Sequence, residues 1–246
     1  MKNIKILGVK VTNIGLRELR EKIKEYLNSN KQRFLTTVNP EIILKAHKNE
    51  DYKKILNKAS LSLPDGFGLV LASRFKGQKI KKRITGNDLI EIICAQAEKE
   101  SKTVYLLGGR KDVPAQASYQ LKEKYPDLEI VGFDNSRIYS ERIFSRGILK
   151  KIIHAKPDIL LVALGAPKQE KWIARHLRKM ISVKIAVGVG GAFDFLAGQI
   201  KRAPNFMQKM GLEWLWRLFW QPWRLFRIFN AVFRFSWVVI KNKKNE

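Results

Sequence analysis

The chain has 246 residues, 45% of them hydrophobic, which is enough to bury the core of one large α/β domain. Its 48 Lys and Arg residues exceed its 22 Asp and Glu residues, and the formal net charge of +26 predicts an anionic partner: nucleic acid, acidic lipid or a phosphorylated substrate. A single cysteine, Cys94, excludes an internal disulfide and a cysteine-rich metal site, and its apolar surroundings predict a buried thiol. The N-terminal MKNIKILGVKV lacks the apolar centre of a signal peptide, so we expect the chain to remain in the cytoplasm.

Short β-rich segments alternate with helical segments along residues 1–200. IKILGVKVTNIG predicts an opening hairpin, and short β-rich runs predict six strands at 33–38, 60–64, 103–108, 128–133, 158–165 and 183–190. Most of these runs are continuously apolar, as expected of strands covered on both faces. Helix start signals lie between these runs, at Pro40, Asn87, Asp112 and Pro167. The alternation predicts an α/β fold with a Rossmann-like, mainly parallel sheet flanked by helices. The chain has no internal repeat or low-complexity linker here, so residues 1–200 are predicted to form one domain.

The composition changes in residues 201–246, which carry ten Lys or Arg against two Glu, a net of +8, and five of the six tryptophans. On a helical wheel, six aromatic residues gather on one side: Phe219, Trp223, Phe226, Phe229, Phe233 and Trp237. Four arginines spread over the other side: Arg217, Arg224, Arg227 and Arg234. This pattern predicts a C-terminal amphipathic helical appendage that binds an anionic membrane surface, and the alternative is that the aromatic residues pack on the protein's own core. The apolar run 228–240 is shorter than the roughly 20 residues of a membrane span, so a transmembrane helix is not expected.

Polar and glycine residues are concentrated where the predicted strands end, which is where open α/β sheets bind ligands. They are Thr36, Thr37, Asn39, Asp65, Gln169, Glu170 and the glycine-rich GVGGAFDFLAG of residues 188–198. Glycines after a strand indicate either a phosphate close to backbone amides or simply a tight turn. Gly188 and Gly190 fit the dinucleotide fingerprint, but Phe193 occupies the place of its third glycine, which argues against an NAD enzyme.

Several other chemistries lack their motifs in this sequence. The three histidines, His47, His154 and His176, have no metal-binding spacing. The sequence contains no Walker motif, no nucleophile elbow and no Asp-x-Asp pair of the kind that metal-dependent sugar-nucleotide transferases use. If a sugar nucleotide is the donor, backbone amides and basic side chains must therefore stabilise the departing diphosphate.

Six motifs occur in order along the chain, followed by KRAP and the Trp/Arg-rich tail: TTVNPEII, PDGFGLV, RITGND, LLGG, ALGAPKQEKWI and GVGGAFDFLAG. Together they resemble the WecG/TagA/CpsF glycosyltransferases, most closely the TagA branch, over essentially the whole chain. The resemblance implies transfer of N-acetylmannosamine from its UDP donor to the 4-hydroxyl of N-acetylglucosamine on undecaprenyl diphosphate, with a β1,4 linkage, in wall teichoic acid synthesis. It also implies an inverting reaction at the cytoplasmic face of the membrane, with no metal ion and no cofactor.

The implied chemistry gives roles to the motif residues. An inverting transfer needs a base for the acceptor proton, and Asp65 in PDGFG is predicted to be that base as well as a turn residue. Thr37 and Asn39 are predicted to bind the donor sugar, and helix capping is the plainer role of Asn39. Arg83 is predicted to balance the developing phosphate charge, and Gln169 to orient the sugars.

The remaining predicted contacts are with the nucleotide, the lipid and the membrane. The residues predicted to bind UDP are Gly108, Gly109, Gly190, Gly191 and Asp194, the last through a ribose hydroxyl. Arg217, Arg224 and Arg227 are predicted to contact the lipid diphosphate while the aromatic side of the appendage rests on the bilayer. The expected partners are therefore a UDP-sugar donor, a polyprenyl-diphosphate-linked N-acetylglucosamine acceptor and the membrane surface.

Three alternatives remain open from the sequence. The same family includes enzymes that use UDP-N-acetylmannosaminuronic acid, which would want an additional cation near C6 of the donor. A nucleic-acid-binding module would explain the charge and would bind RNA or DNA in a salt-dependent way, but it leaves the polar residues at the strand ends unexplained, so we expect no nucleic-acid partner. A non-catalytic membrane adaptor would explain the tail alone. The sequence does not decide between a monomer and a homo-oligomer.

Overall fold

A computed structural model of the chain describes residues 2–135, 143–200, 203–204, 207, 213–220, 222 and 233–243. Its strands are β1 (Lys2–Ile6), β2 (Val9–Asn13), β3 (Arg33–Val38), β4 (Leu61–Pro64), β5 (Val104–Gly108), β6 (Ile130–Asp134), β7 (Ile159–Ala163) and β8 (Ile185–Gly188). Its helices are α1 (Leu16–Leu27), α2 (Pro40–His47), α3 (Glu50–Asn57), α4 (Phe67–Phe75), α5 (Gly86–Lys99), α6 (Val113–Lys124), α7 (Ile143–Ala155), α8 (Lys168–His176), α9 (Ala192–Leu196), α10 (Glu213–Trp220) and α11 (Phe235–Lys243).

Six strands form one parallel sheet in the order β4-β3-β8-β7-β5-β6, and β1 and β2 form a separate antiparallel hairpin. The inner strands are buried because helices cover both faces of the sheet, which explains their largely apolar sequences. The predicted α/β class, with a mainly parallel sheet flanked by helices, is confirmed.

Side chains alternate across the sheet and build a separate core on each face. Leu35 of β3 packs with residues of α1, α5 and α6, including the buried thiol of Cys94, and we call this side the α5 face. Phe34 of β3 packs with residues of α7 and α8, and we call this side the α8 face. A third apolar cluster joins the β1–β2 hairpin to α2, α3 and α4.

The chain changes direction between β5 and β7. After β5 the chain passes through α6, on the α5 face, and continues to β6, toward one end of the strand order. After β7 it passes through α8, on the α8 face, and continues to β8, in the opposite direction. In open α/β sheets, ligands bind at the carboxyl ends of two such strands, where the strand order reverses. The fold therefore places this switch point between the loops that follow β5 and β7.

The C-terminal helix α11 packs on the body of the protein. Phe235 and Val239 are buried in the cluster that also contains Ile43 of α2 and Leu69 of α4. Three residues of the predicted aromatic stripe are exposed, namely Phe219, Phe233 and Trp237, while Trp223, Phe226 and Phe229 lie outside the described residues. Within the described part of the chain, no helix has the length and hydrophobicity needed to cross a bilayer. The domain boundary at residue 200 stays a prediction.

Candidate active site

Strands β3 and β4 end side by side, and the residues that follow them form one corner of the candidate site. Val38 pairs with Pro64 in the parallel register, and the amide N–H of Asp65 donates to the carbonyl oxygen of Val38 over 2.8 Å. Asn39 caps α2, because its side-chain oxygen accepts the amide N–H of Ile42 at 2.9 Å. The structure therefore brings Asn39 and Asp65 together at the carboxyl edge of the sheet.

Thr37 and Gly66 complete this corner. Thr37 is buried. It comes two residues after Leu35 on β3, so its side chain points to the same side of the sheet, the α5 face. Gly66 has a φ of 103°, and a Cβ at this position would lie 3.3 Å from Cδ of Pro40. A side chain here would strain the backbone and crowd the start of α2, so the glycine is what allows Asp65 to lie next to Asn39.

The RITGND motif lies against the end of β4. The amide N–H of Ile84 donates to the carbonyl oxygen of Pro64 at 2.9 Å, which places the half-buried Arg83 near this strand end. Thr85 caps α5: its hydroxyl accepts the Asp88 amide N–H at 3.2 Å, and the Asp88 carboxylate accepts the Thr85 amide N–H at 3.1 Å. The N-terminus of α5, whose positive end favours anions, therefore lies at the carboxyl edge.

The start of α5 also contacts the glycine-rich segment after β8. A Cβ on Gly86 would lie 3.0 Å from the carbonyl oxygen of Val189, so the absence of a side chain permits this close approach. The next residue, Asn87, is only 8% exposed, and its Oδ1 has no hydrogen-bond partner among the described residues. In the sequence, Asn87 is recognisable only as a helix start signal, and no local pattern indicates that its side chain is buried without a partner for Oδ1.

Gln169 joins the loop after β7 to the loop after β8. It is buried, and its Oε1 accepts the amide N–H of Gly165 at 3.1 Å and that of Gly190 at 3.0 Å. Its side chain also fills the space beside Gly188, where a Cβ would lie 2.7 Å from Nε2. These contacts fix the two loops relative to each other, and the predicted role of Gln169 in orienting the sugars stays a prediction.

Glu170 is a fully buried acid next to Gln169. Its Oε1 accepts a hydrogen bond from Nε2 of Gln169 at 2.7 Å, its Oε2 accepts one from the Tyr52 hydroxyl at 3.1 Å, and the Thr36 hydroxyl also bonds to it. Burial raises the pKa of the Glu170 carboxyl, although these donors oppose the shift. The sequence gives Glu170 no role of its own. Its burial could be expected, however, because it lies three residues before Ile173 and therefore on the apolar side of α8.

Gly108 and Gly109 lie at the other end of the carboxyl edge. Gly108 has a φ of 104°, and a Cβ there would lie 2.7 Å from the carbonyl oxygen of Ala163, which accepts the Gly109 amide N–H at 3.2 Å. The two glycines therefore let the loop after β5 run against the loop after β7 at the switch point. Their predicted contact with UDP stays a prediction.

Three further residues predicted to bind UDP meet in the loop after β8. Gly190 has a φ of 58°, Gly191 precedes the short helix α9, and the half-buried Asp194 lies in the first turn of that helix. A Cβ on Gly191 would lie 3.4 Å from Oδ2 of Asp194, so these two residues are close neighbours. Their contacts with the nucleotide also stay predictions.

The residues predicted to contact the lipid diphosphate are in the C-terminal segment. Arg224 and Arg227 lie outside the described residues, and so does the side chain of Arg217. Arg234, just before α11, is described and exposed.

The site residues are spread along the carboxyl edge. Neighbouring strands lie roughly 4.8 Å apart, so the four spacings from β4 to β5 make the strand ends about 19 Å apart. Asp65 lies at one end of this edge, the N-terminus of α5 and the loop after β8 lie in the middle, and the switch point lies at the other end. This arrangement suits an elongated anionic ligand that lies along the carboxyl edge.

Comparison with known proteins identifies the family of this chain. The profile of the glycosyl transferase WecG/TagA/CpsF family matches residues 4–246. An N-acetylglucosaminyldiphosphoundecaprenol N-acetyl-beta-D-mannosaminyltransferase of Bacillus subtilis (strain 168) is 34% identical over 223 residues, which cover 91% of this chain and 85% of that protein. Proteins of the same name from Bacillus spizizenii and Staphylococcus aureus (strain MW2) are 35% and 32% identical, over 89% and 98% of this chain and 83% and 93% of their own lengths. The chain therefore belongs to the WecG/TagA/CpsF family and is a glycosyltransferase.

Proposed function

We propose that this glycosyltransferase moves N-acetylmannosamine from UDP to the 4-hydroxyl of N-acetylglucosamine on undecaprenyl diphosphate, with a β1,4 linkage, as an early step of wall teichoic acid synthesis. The names of the three relatives contain the same acceptor and the same transferred sugar. The observation that carries the proposal is the corner at which Asp65 and Asn39 meet, since a carboxylate there lies beside the amide that we propose to bind the sugar, at the edge of the sheet where α/β folds bind ligands.

Transfer with inversion is a single displacement at the anomeric carbon. The acceptor O4 forms a bond to this carbon while the bond from the carbon to the UDP phosphate oxygen breaks, and the bonding electron pair leaves with UDP. The Asp65 carboxylate takes the proton of the acceptor hydroxyl. The backbone amide of Asp65 is hydrogen-bonded to Val38, so the side chain that carries the carboxylate is attached to a fixed point of the sheet.

The other site residues bind the donor and stabilise its departing diphosphate in this proposal. Thr37 and the amide NH₂ of Asn39 hold the sugar, because the Asn39 oxygen is already occupied by Ile42. Arg83 and the N-terminus of α5 supply positive potential where the phosphate charge develops. The nucleotide lies toward the switch point, against the residues already predicted for it: Gly108, Gly109, Gly190, Gly191 and Asp194.

We further propose that the enzyme works as a peripheral protein on the cytoplasmic face of the membrane, where its lipid acceptor resides. Helix α4 presents three apolar side chains one turn apart, and we call them the α4 stripe: Phe67, Leu71 and Phe75, all exposed. The adjacent helix α11 exposes Trp237 and Ile240, and Phe233, two residues before this helix, is exposed as well. Exposed basic side chains occur beside both sets, namely Arg74, Lys79, Arg234 and Lys241. Apolar side chains with basic neighbours are what an anionic bilayer surface binds.

The α4 stripe connects the membrane to the chemistry. Helix α4 begins at Phe67, two residues after Asp65, so a bilayer that receives the α4 stripe brings its headgroup region close to the base. The acceptor sugar is attached to that region through a diphosphate, for which Arg217, Arg224 and Arg227 are the proposed contacts.

The decisive experiment is a transfer assay with the full-length protein. A short-chain prenyl-diphosphate N-acetylglucosamine is incubated with UDP-N-acetylmannosamine or UDP-N-acetylmannosaminuronic acid, with and without a chelator. We expect a β1,4-linked product from the first donor at the same rate in both conditions. Preference for the uronic acid would reassign the donor, loss of activity with the chelator would contradict metal independence, and no product from any donor would overturn the proposed function.

A further inference from the structure

The start of α5 carries a buried polar group that the mechanism above does not use. The carboxamide of Asn87 is 8% exposed, and its Oδ1 has no hydrogen-bond partner in the part of the chain that the structure describes. Burying a hydrogen-bonding group without a partner costs folding free energy, so such groups are rare in native proteins. The arrangement is explained if a bound ligand supplies the missing partner.

The neighbours of Asn87 place it at the candidate active site. Ile84, three residues earlier, bonds to the carbonyl oxygen of Pro64, and Gly86 lies against the carbonyl oxygen of Val189. Asn87 therefore lies between the turn that carries Asp65 and the glycine-rich loop after β8. Helix α5 covers the same face of the sheet that Thr37 faces, so the proposed sugar-binding residue and the unpartnered carboxamide are on one side of the sheet.

We propose that Asn87 binds the 2-acetamido group of the donor sugar; this inference rests on the proposed function. With Asp65 beside the anomeric carbon, the substituent on the neighbouring carbon, C2, is the one closest to the residues around that turn. An acetamido group has an N–H donor and a C=O acceptor, so it pairs with a carboxamide whichever way the carboxamide is turned. A hydroxyl at C2 can also donate and accept, but it is too short to bond to both the oxygen and the nitrogen of the carboxamide at once. Asn87 thus selects 2-acetamido sugar nucleotides over their 2-hydroxy counterparts.

Thermal stability distinguishes a ligand-binding asparagine from a structural one. Asn13 is buried to a similar degree, at 9% exposed, but its Nδ2 donates to the Lys79 carbonyl at 2.8 Å and its Oδ1 accepts the Lys81 amide N–H at 2.7 Å. Replacing Asn13 by Leu leaves two backbone groups unpaired and should lower Tm. Replacing Asn87 by Leu removes a group that has no partner at Oδ1, so Tm should stay the same or rise.

The test compares full-length wild type with Asn87→Leu and Asn87→Ala, each assayed with UDP-N-acetylmannosamine and with UDP-mannose. Loss of a hydrogen-bonded pair in a buried site should lower kcat/KM for the acetamido donor by about 10- to 100-fold. The much lower activity with UDP-mannose should change little, so the preference for the acetamido donor shrinks. Asn28→Ala, at the exposed end of α1, is the activity control, and Asn13→Leu is the control for Tm.

Each outcome decides between the two proposals. Wild type that transfers neither sugar contradicts the proposed function. Wild type that uses UDP-N-acetylmannosamine, together with Asn87 variants that keep the same donor preference, overturns this inference alone. A fall in the Tm of Asn87→Leu as large as that of Asn13→Leu would show that Asn87 is structural and would also overturn it.

Discussion

At the scale of single residues, the position of Asp65 leads to a direct prediction. Asp65→Asn keeps the size of the side chain and removes its capacity to accept a proton. We expect the turnover of the lipid acceptor to fall by about 100-fold or more while the protein stays folded, because general base catalysis commonly contributes at least this much. Steady-state kinetics and a circular dichroism spectrum measure the two effects.

The matched control is Asp51→Asn. Asp51 is an exposed carboxylate on α3 whose ion pair with Lys54, at 3.9 Å, is exposed as well, so its removal should leave activity unchanged. A folded Asp65→Asn protein that turns over as fast as this control would remove Asp65 as the base.

His176 gives a pH-dependent prediction. It is buried against Trp172, with ring centroids 4.9 Å apart, and neither ring nitrogen has a hydrogen-bond partner among the described residues. Burial lowers the pKa of His176 below its usual 6.5, and Lys179 and Arg175 add to this shift. Below about pH 6.5 the unfolded chain therefore binds a proton that the folded protein does not. The contribution of His176 to stability is complete above that pH and is lost as the pH falls toward the folded pKa.

The pH dependence of this contribution to stability is measured by urea unfolding of wild type and His176→Phe at pH 5, 6 and 8. Phenylalanine keeps a ring beside Trp172 and cannot bind a proton. The decrease in unfolding free energy from pH 8 to pH 5 should be smaller in the variant. An equal decrease in both proteins would show that His176 does not contribute to it.

At the scale of elements, the α4 stripe makes a prediction about membrane binding. Leu71 and Phe75 are 50% and 49% exposed, and we expect Leu71→Glu combined with Phe75→Glu to weaken binding to vesicles of anionic lipid by about tenfold or more, since the apolar contact is lost and negative charge is added. Vesicle co-sedimentation measures this. Ile181→Glu is the control. Ile181 is 87% exposed, but it lies before β8, where the amino ends of the strands are, and α4 follows the carboxyl end of β4. Equal loss in the control would exclude a specific role for α4.

Most elements were predictable from the sequence, and the reason is local. The runs that form Ile159–Ala163 and Ile185–Gly188 are continuously apolar and followed by glycine-containing turns, so their composition and length identify them. The edge strand Ile130–Asp134 is less buried, so its sequence marks its ends less clearly. The predicted range, 128–133, therefore begins two residues too early and ends one residue too early. The order of the strands was not predictable, because the pairing of Arg33 with Ile185 joins segments that are distant in the chain.

The site was predictable only in part, because several of its contacts join residues that are distant in the chain. The motifs identified Asp65, Asn39 and Gln169 as candidates, and the structure places the first two side by side. The hydrogen bond between Tyr52 and Glu170 links positions 118 residues apart, and no local pattern encodes such a contact. The unpartnered oxygen of Asn87 is likewise a property of the packed structure, since a helix start signal is identical whether or not its side chain finds a partner.

At the scale of the whole molecule, the net charge of +26 predicts that attachment to membranes depends on salt. Raising the ionic strength from 0.1 M to 1 M shortens the Debye length from roughly 10 Å to roughly 3 Å, so we expect binding to anionic vesicles to weaken steeply. Vesicle flotation over a salt series measures it, with vesicles of neutral lipid as the control. Equally tight binding to neutral vesicles at every salt concentration would show that charge has no part in attachment.

Removal of residues 201–246 tests the appendage as a unit. We expect a chain ending at residue 200 to leave the membrane fraction and to lose transfer to the lipid-linked acceptor. Because α11 also buries Phe235 and Val239 against α2 and α4, a second variant is needed that keeps this packing: full-length protein with Phe233→Glu and Trp237→Glu, both at exposed positions. Unchanged lipid transfer by the truncated chain would contradict the proposed role of the appendage.

The hydrogen bonds of Gln169 limit how this enzyme can change by mutation. The side chain must accept two amide N–H groups with one oxygen and donate to Glu170 with its nitrogen. Glutamate has no donor for that acid, leucine has neither function, and asparagine carries both groups on a chain one methylene too short. The residue that joins the loops after β7 and β8 therefore has no close chemical substitute, and any change in these two loops must keep the amides of Gly165 and Gly190 within reach of one oxygen.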